Sequence, residues 1–129
     1  MEKTEQARTE ALLAGYAQQF VGLKRELEEV SYFCKGSVLK RMMECGQRRC
    51  ACHQDPAKRH GPYFEWTYKV KGKTVNVRLC PDEAPVYKAA THQYRKLRSL
   101  LARMERLSRN AVVCLAQRLR SENSDPSRK

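Results

Sequence analysis

Hydrophobic residues recur at helical spacing in the first quarter of the chain. Their intervals alternate between three and four, which is the heptad pattern of a helix that packs along one seam. The seam residues are Leu13, Tyr16, Phe20, Leu23, Leu27 and Val30. This spacing predicts a helix over 4–31, although Gly15 and Gly22 each weaken it by about 1 kcal/mol.

The pattern then changes from helical to irregular and on to strand-like. Residues 45–62 show no periodicity and contain several glycines and prolines, so they are predicted to form a loop. Residues 63–70 and 73–79 are rich in aromatic and β-branched side chains. Only Lys71 and Gly72 separate these two runs, which predicts a β-hairpin with a two-residue turn.

A second long helix is predicted over 83–121, because acidic residues and prolines open it. Its hydrophobic seam is interrupted where Ser108 occupies a heptad position. The seam residues are Tyr87, Ala90, Tyr94, Leu97, Leu101, Met104, Ala111 and Leu115. Residues 122–129 are polar and are predicted to be a disordered tail.

The order of these elements predicts a single domain of the α+β class over 1–121. A long N-terminal helix precedes a cysteine-rich loop and a small antiparallel hairpin over 35–80, and the long C-terminal helix follows. We expect the two helices to pack antiparallel along their seams in the manner of a coiled coil. We also expect a homodimer, with a helix pair inside one chain as the alternative.

Positive charge is concentrated in the middle and the C-terminal third of the chain. The 129 residues include 26 lysines and arginines against 14 acidic residues, a formal net charge of +12. Residues 1–34 carry a net negative charge, whereas residues 35–80 and 81–129 are both strongly basic. Such a surface favours polyanions, because neutralised phosphates release condensed counterions. Nucleic acid is therefore the expected partner, with an acidic protein or an anionic membrane surface as alternatives.

No pattern of a secreted or membrane-spanning protein is visible. The first six residues are polar and partly acidic, whereas a secretion signal has a basic start and an apolar run. No stretch approaches the roughly 20 apolar residues of a membrane helix. We therefore expect a cytoplasmic protein whose six cysteines stay reduced, as metal ligands or unpaired thiols.

Three cysteines and a histidine lie close together in the predicted loop. Three thiolates and an imidazole are ligands that Zn²⁺ takes in closed structural sites. The predicted ligands are Cys45, Cys50, Cys52 and His60. Cations that would favour ionised thiols are Arg48, Arg49, Lys58 and Arg59. We predict one structural zinc ion, with ordinary thiols and a redox or iron–sulfur role as alternatives.

The fourth ligand has two rivals, and the site lacks the marks of catalysis. By position, His53 and Cys80 are alternatives to His60, but His60 comes shortly before the first predicted strand and would tie the metal to the sheet. A catalytic zinc keeps an open position and a carboxylate base. Glu44 and Asp55 are nearby, but four protein ligands would close the site, so we do not expect an enzyme. Cysteines without a partner at ligand spacing are Cys34, Cys80 and Cys114.

Two groups of basic residues are candidates for contacts with nucleic acid. The first is a stripe within a sector of about 80° on the predicted C-terminal helix, opposite its seam. Its members are Lys88, Arg95, Arg98, Arg106, Arg109 and Arg120. In the second group, Asn76 and Arg78 are of the types that read adenine and guanine edges. The other members are Lys40, Arg41, Arg48, Arg49, Lys69, Lys71 and Lys73. A merely solvated basic surface is the alternative for both.

Four short motifs follow one another between residues 36 and 79. They are G-S-x-x-K-R at 36–41, C-G-x-x-x-C-x-C at 45–52, H-G-P-Y at 60–63 and G-K-T-V at 72–75. In this order they resemble the core of an uncharacterised family of small bacterial proteins. The resemblance covers about a third of the chain and implies no function, but it implies His60 rather than His53 as the fourth ligand.

The strand, G-K turn, strand and helix also resemble the small DNA-binding domains of phage-type integrases and plant AP2 factors, in which the sheet reads DNA. That resemblance implies a DNA-binding accessory or regulatory factor of a mobile element, beside a recombinase or transposase. The leading hypothesis is therefore a small zinc-stabilised nucleic-acid-binding protein, with DNA favoured over RNA. The alternative is an adaptor whose helices dock on a larger nucleoprotein complex.

Overall fold

The computed structural model describes residues 2–123, which form two long helices and a small antiparallel sheet. In chain order the elements are α1 (Glu2–Glu28), β1 (Ser37–Met43), two single-turn 3₁₀ helices (Ala51–His53 and Pro56–Lys58), β2 (His60–Val70), β3 (Lys73–Leu79) and α2 (Ala84–Asn123). The predicted α+β class, with a cysteine-rich loop beside the sheet, is confirmed. Residues 124–129 of the predicted polar tail lie outside the described residues.

The structure has one strand more than the sequence pattern predicted. β1 pairs with β2 and turns the predicted hairpin into a three-stranded sheet. Its pattern is obscured because Lys40 and Arg41 interrupt the hydrophobic run. β2 also begins three residues earlier than predicted, at His60. At the other end of the chain, α2 continues to Asn123, so the first residues of the predicted tail are helical.

The chain divides into two compact units. Among the described residues, the helical unit comprises 2–30 and 97–123, and the sheet unit comprises 31–96. Helix α2 contributes to both. Within residues 2–123, neither helix has a stretch that is long and apolar enough to cross a membrane.

In the helical unit, α1 runs antiparallel to the C-terminal part of α2. Arg118 lies 3.1 Å from the carboxylate of Glu10, and Arg103 lies 3.4 Å from that of Glu26, so the start of one helix meets the end of the other. The predicted antiparallel pairing is confirmed. The hydrophobic cluster between the helices consists of Leu23, Leu100 and Leu107, with Tyr16, Phe20, Leu27, Val30 and Met104 packed against it.

The seam predicted on α2 was right at Leu97, Met104 and Ala111 but wrong at Leu101 and Leu115. Leu101 is 51% exposed and Leu115 is 43% exposed, whereas Leu100 and Leu107 are buried. The observed seam therefore passes through Leu107 and avoids the polar Ser108. It runs along Leu97, Leu100, Met104, Leu107, Ala111 and Cys114, all of them buried or half-buried. This seam keeps the 3–4 spacing without a polar interruption.

The sheet unit contains a β1-β2-β3 meander with two chemically different faces. Trp66 pairs with Val38 and Val77, and Glu65 pairs with Leu39 and Arg78. Paired residues of antiparallel strands point to the same side, and successive residues point to opposite sides. Trp66 therefore belongs to one face and Glu65 to the other.

The face that contains Trp66 packs against the first turns of α2. The Trp66 ring lies 5.2 Å from the ring of Tyr87, between centroids, and its Nε1 donates a 2.8 Å hydrogen bond to the carbonyl of Lys35. Leu79, which pairs with Phe64, is buried on the same side. Ala84, the first residue of α2, is also buried. We call the opposite side of the sheet the outer face. Its exposed residues are Arg41, Lys69, Thr74, Asn76 and Arg78.

The turn between β2 and β3 has the predicted two residues. Lys71 and Gly72 have φ angles of 49° and 80°. Two successive positive φ angles are those of a type I′ turn, which suits the right-handed twist of a hairpin. The hairpin predicted from the Lys71-Gly72 connection is therefore confirmed.

Candidate metal centre

The segment between β1 and β2 folds into tight turns that gather three cysteines. The backbone N–H of Cys50 donates to the carbonyl of Gln47 at 3.1 Å, which closes the first turn. Cys52 lies in the 3₁₀ helix that follows. Asp55 caps the second 3₁₀ helix by accepting a 3.0 Å hydrogen bond from the backbone N–H of Ala57. The turns thus return the chain to the sheet within a few residues.

His60 is brought to this segment by the close approach of β2 to β1. The next residue, Gly61, has a φ angle of 136°, and a Cβ atom there would lie 2.8 Å from the backbone carbonyl of Arg41. Only glycine combines this backbone conformation with this proximity. The register of the two strands also shifts between Arg41 and Met43. Gly61 therefore permits the strand geometry that places His60 beside the cysteines.

The four predicted ligands converge. Nε2 of His60 lies 3.2 Å from Sγ of Cys50, and the Sγ atoms of Cys45 and Cys52 are 3.6 Å apart. All four ligand atoms lie within 4.8 Å of one another. Zinc bonds of about 2.3 Å to sulfur and 2.0 Å to nitrogen imply ligand–ligand separations of about 3.5–3.8 Å in a tetrahedron. The cluster is therefore close enough to bind a metal ion, as predicted.

The thiols of the cluster differ in environment. Cys52 is buried, and burial raises the pKa of its thiol. The pKa of Cys50 is lowered to about 6, first by a hydrogen bond from the backbone of Cys52 and then by one from the side chain of His60. A bound cation would favour thiolates at both positions, since metal binding releases the protons of its cysteine ligands. Exposed cations in this segment are Arg48, Arg49, Lys58 and Arg59.

The two rival fourth ligands lie outside the cluster. Nδ1 of His53 is 3.1 Å from the carboxylate of Glu44. Cys80 is exposed, and its backbone N–H donates to the carboxylate of Glu83, the residue before α2. That carboxylate raises the pKa of the Cys80 thiol. Of the alternatives considered, only His60 shares the cluster with the three cysteines.

The other two thiols and the two carboxylates considered in the sequence analysis lie outside the ligand cluster. Cys34 is half-buried and Cys114 is buried, as expected for thiols without a ligand-spaced partner. Burial raises the pKa of Cys34. Glu44 pairs with His53, and Asp55 caps a helix, so neither carboxylate belongs to the ligand cluster.

The model of a protein family supplies an independent observation on this chain. A domain of unknown function, DUF6788, matches residues 3–89. The chain belongs to this family. The DUF6788 match includes α1, the metal-ligand cluster, the sheet and the first turns of α2. No curated protein and no solved structure matches the chain significantly, so the likeness to integrase and AP2 domains stays a prediction.

The sheet separates the basic residues that the sequence grouped around the hairpin. Arg41, Lys69, Asn76 and Arg78 lie on the outer face, in register across the three strands. Lys73 pairs with Val70 and so points to the other side, as does Lys40 from its pairing with Phe64. Lys71 lies in the turn, and Arg48 and Arg49 lie in the cysteine-rich segment.

The predicted stripe on α2 is solvent-exposed throughout. Its exposed members are Lys88, Arg95, Arg98, Arg106, Arg109 and Arg120. Arg109 forms a 3.1 Å ion pair with Glu105 one turn away, which offsets part of its charge. Arg95, Arg98 and Arg106 form no ion pair within residues 2–123. The stripe thus keeps most of its positive charge.

The sequence analysis assigned no role to Glu65 and did not place Tyr63 beside Arg78. Glu65 lies at the centre of β2. The guanidinium of Arg78 stacks on the ring of Tyr63, with its carbon 4.1 Å from the ring centroid. The alternation of Tyr63 and Glu65 with Phe64 and Trp66 was visible in the sequence. The sequence pattern did not predict β1. Without that strand, β2 could not be recognised as the central strand, and Glu65 could not be placed between β1 and β3.

Proposed function

We propose that this DUF6788 protein is a small zinc-stabilised module that binds nucleic acid, with duplex DNA as its preferred form. Zinc is the metal that best suits the cluster, because three thiolates and one imidazole at tetrahedral spacing complete its coordination. Four protein ligands leave no open position, so the role we assign to the ion is structural. The ion would join the end of β1 to the start of β2.

The outer face of the sheet is the observation that carries the nucleic-acid proposal. Arg41, Lys69 and Arg78 place three positive charges on it, against the single negative charge of Glu65. Asn76 and Arg78 are neighbours on β3 that share this face and are exposed. Strands of this kind fit the DNA major groove, where arginine and asparagine read guanine and adenine.

The exposed stripe on α2 supports the same proposal by a different route. Arginine binds phosphate oxygens in pairs through its planar fork. Contacts of this type add affinity without reading sequence. The outer face and the stripe therefore have separate expected roles, one in selecting sequence and the other in neutralising phosphates.

Metal analysis tests the first half of the proposal. The purified protein should contain one zinc ion per chain, and Cys50→Ser should abolish it. The matched control is the double variant Cys34→Ala and Cys114→Ala, which removes two thiols outside the cluster and should retain one zinc ion. A reduced wild-type protein without zinc, or loss of zinc from the control, would overturn the assigned ligand set.

Fluorescence anisotropy with short duplex and single-stranded probes tests the second half. About five phosphate contacts should give a log–log salt slope of roughly −4 to −5 on duplex DNA. Reversing the stripe with Arg95→Glu, Arg98→Glu and Arg106→Glu should weaken binding to every sequence alike. No binding to any probe below about 10 µM at low salt would reject the proposal, because a basic protein reaches this range without specificity.

A charge-matched control separates the stripe from net charge alone. Reversing Lys3, Lys24 and Arg25 on α1 changes the charge by the same amount on the acidic end of the chain. This variant should bind nearly as tightly as the wild type. Equal weakening by both triple variants would show that only the total charge matters.

The biological setting that fits this module best is a mobile element. In that setting the protein would act as a DNA-binding accessory or regulatory factor of a recombinase or transposase. Support comes from the three-stranded sheet followed by a helix, an arrangement suited to placing a sheet face on DNA. Co-purification from cells with and without nuclease treatment, followed by sequencing of bound nucleic acid, tests this setting and distinguishes DNA from RNA.

A second candidate function is favoured by exposed hydrophobic residues on the helical unit. At 100° per residue, four of those on α2 fall on one stripe, about 90° from the buried seam. They are Leu101, Val112, Leu115 and Leu119, each more than 40% exposed. Such a stripe suits an adaptor that docks on a larger nucleoprotein complex. An adaptor would be captured by a partner after nuclease treatment and would show no salt-dependent binding to bare DNA.

A further inference from the structure

The fold satisfies the carboxylate of Glu65 only in part, through an ion pair with Arg41 on β1. Its Oε2 atom is buried and has no hydrogen-bond partner among residues 2–123. The nearest cationic nitrogen, Nε of Arg41, lies 3.6 Å away, which is too far for a hydrogen bond. Burying an acceptor without a partner costs free energy, and the middle of a strand favours β-branched or aromatic residues over glutamate. A carboxylate here is therefore better explained by a ligand than by stability.

Arg78 lies directly across from Glu65 on β3. Its guanidinium carbon is 4.1 Å from the centroid of the Tyr63 ring. The group is thus stacked on an aromatic ring, while Glu65 keeps an oxygen without a hydrogen bond. Stacking limits the conformations of the guanidinium and leaves its N–H donors available. The outer face therefore presents the guanidinium donors of Arg78 beside the carboxyl side chain of Glu65, which is 19% exposed.

This order of donors and acceptors matches one base pair. In the major groove a G·C pair presents two acceptors on guanine, N7 and O6, followed by one donor, the N4 amine of cytosine. Arginine supplies two donors, and glutamate accepts from cytosine N4. Cβ atoms of directly paired residues are about 4.5–5.5 Å apart, so both side chains can reach a single base pair. A phosphate suits this position less well, because the carboxylate repels it.

Resting on the proposed function, we infer that the outer face reads a G·C pair in the major groove of duplex DNA. Arg78 donates to guanine N7 and O6, and Glu65 accepts from N4 of the paired cytosine. Tyr63 is a positioning residue that holds the guanidinium. Glu65 gives the specificity for this base pair, because its carboxylate disfavours any base pair without an amine at the position of cytosine N4.

Selection from random duplexes, followed by modified probes, tests this inference on the unaltered protein. The selected sites should share a G·C pair. Exchanging its guanine for 7-deazaguanine removes the N7 acceptor and should reduce affinity about tenfold. Exchanging its cytosine for a pyrimidinone without the 4-amino group should give a reduction of similar size. Neither probe depends on the folding of a variant.

Glu65→Thr and Lys69→Thr form a matched pair of variants on the same strand and face. Glu65→Thr should lower the preference for the G·C pair about tenfold without weakening binding to unselected duplexes, because it removes a negative charge. It should fold as well as the wild type, since it removes an unpaired buried oxygen. Lys69→Thr should weaken binding to all duplexes equally and leave the preference unchanged.

The possible outcomes separate this inference from the function on which it rests. If the wild type binds no duplex, the proposed function fails and the reading of a base pair fails with it. If the wild type binds duplexes but selects no G·C pair, or if the preference survives Glu65→Thr, the inference is overturned and the proposed function stands. Loss of affinity with both modified probes and loss of preference in Glu65→Thr support it.

Discussion

Leu100 and Leu101 are neighbours on α2 that lie in opposite environments. Leu100 is 2% exposed, whereas Leu101 is 51% exposed. Replacing a buried leucine by alanine removes its hydrophobic contacts and leaves a cavity, which costs about 2–5 kcal/mol. The same change at a half-exposed position costs about 1 kcal/mol or less. We therefore expect Leu100→Ala to lower the free energy of unfolding by about 3 kcal/mol, and Leu101→Ala by far less.

Urea unfolding followed by circular dichroism at 222 nm measures this difference, because the two helices dominate that signal. With a slope of about 2 kcal/mol per molar urea, Leu100→Ala should lower the midpoint by about 1.5 M. Leu101→Ala should leave it within about 0.5 M of the wild type. The slope itself should not change, since neither substitution alters how much surface unfolding exposes.

An equal loss from both substitutions at every protein concentration would refute the observed seam and restore the one through residues 101 and 108. A loss in Leu101→Ala that grows with protein concentration would have another meaning. It would show that a second chain covers the exposed leucine in solution. The pair of variants therefore tests the helix register and the assembly together.

Three further predictions concern the metal cluster and assembly. In metal-free protein, the rate of alkylation of Cys50 should rise with pH through about 6 and level off at higher pH, because the pKa of this thiol is lowered to about 6. Peptide mass spectrometry measures the rate, and a midpoint near the pKa of a free thiol would contradict the prediction. Gly61→Ala should cost about 1–3 kcal/mol and weaken zinc binding, since its backbone is in a conformation and position that exclude a Cβ atom. Gly46→Ala is the control, because a Cβ atom there meets nothing within 4 Å. Equal loss of zinc from both variants would show that the steric exclusion of a Cβ atom at Gly61 is not the cause. Sedimentation should give a homodimer at micromolar concentration, and a strict monomer would leave only the helix pair within one chain.

The predictable parts of the fold are those in which the local sequence is compatible with only one local structure. The turn at Lys71 and Gly72 is one such part, because a two-residue connection between two strands requires positive φ angles. The seam of α1 is another, since its hydrophobic positions leave no competing register. The grouping of Cys45, Cys50 and Cys52 was predictable from residue type and spacing, because soft ligands so close in sequence can reach one ion.

The parts that were not predictable depend on contacts between distant residues. Leu100 and Leu101 are both hydrophobic, so the α2 seam had two registers, and only packing against α1 decides between them. β1 carries Lys40 and Arg41 at its centre, and its strand character comes from pairing with β2. The exclusion of His53 from the cluster rests on its contact with Glu44, which spacing does not reveal.

The sheet unit is small, so a metal ion bound at the cysteine cluster would stabilise the whole sheet, including the outer face that the ion does not contact. Its buried residues among those described are only Cys52, Leu79, Ala84 and Thr91. A core this small rarely holds a fold by itself, and small proteins often add a metal for this reason. Cys45 lies two residues after the end of β1, and His60 begins β2. An ion between them would therefore fix the register of the two strands that carry Arg41 and Glu65. If the outer face binds DNA as proposed, chelation should weaken that binding, although none of the proposed DNA contacts is a metal ligand.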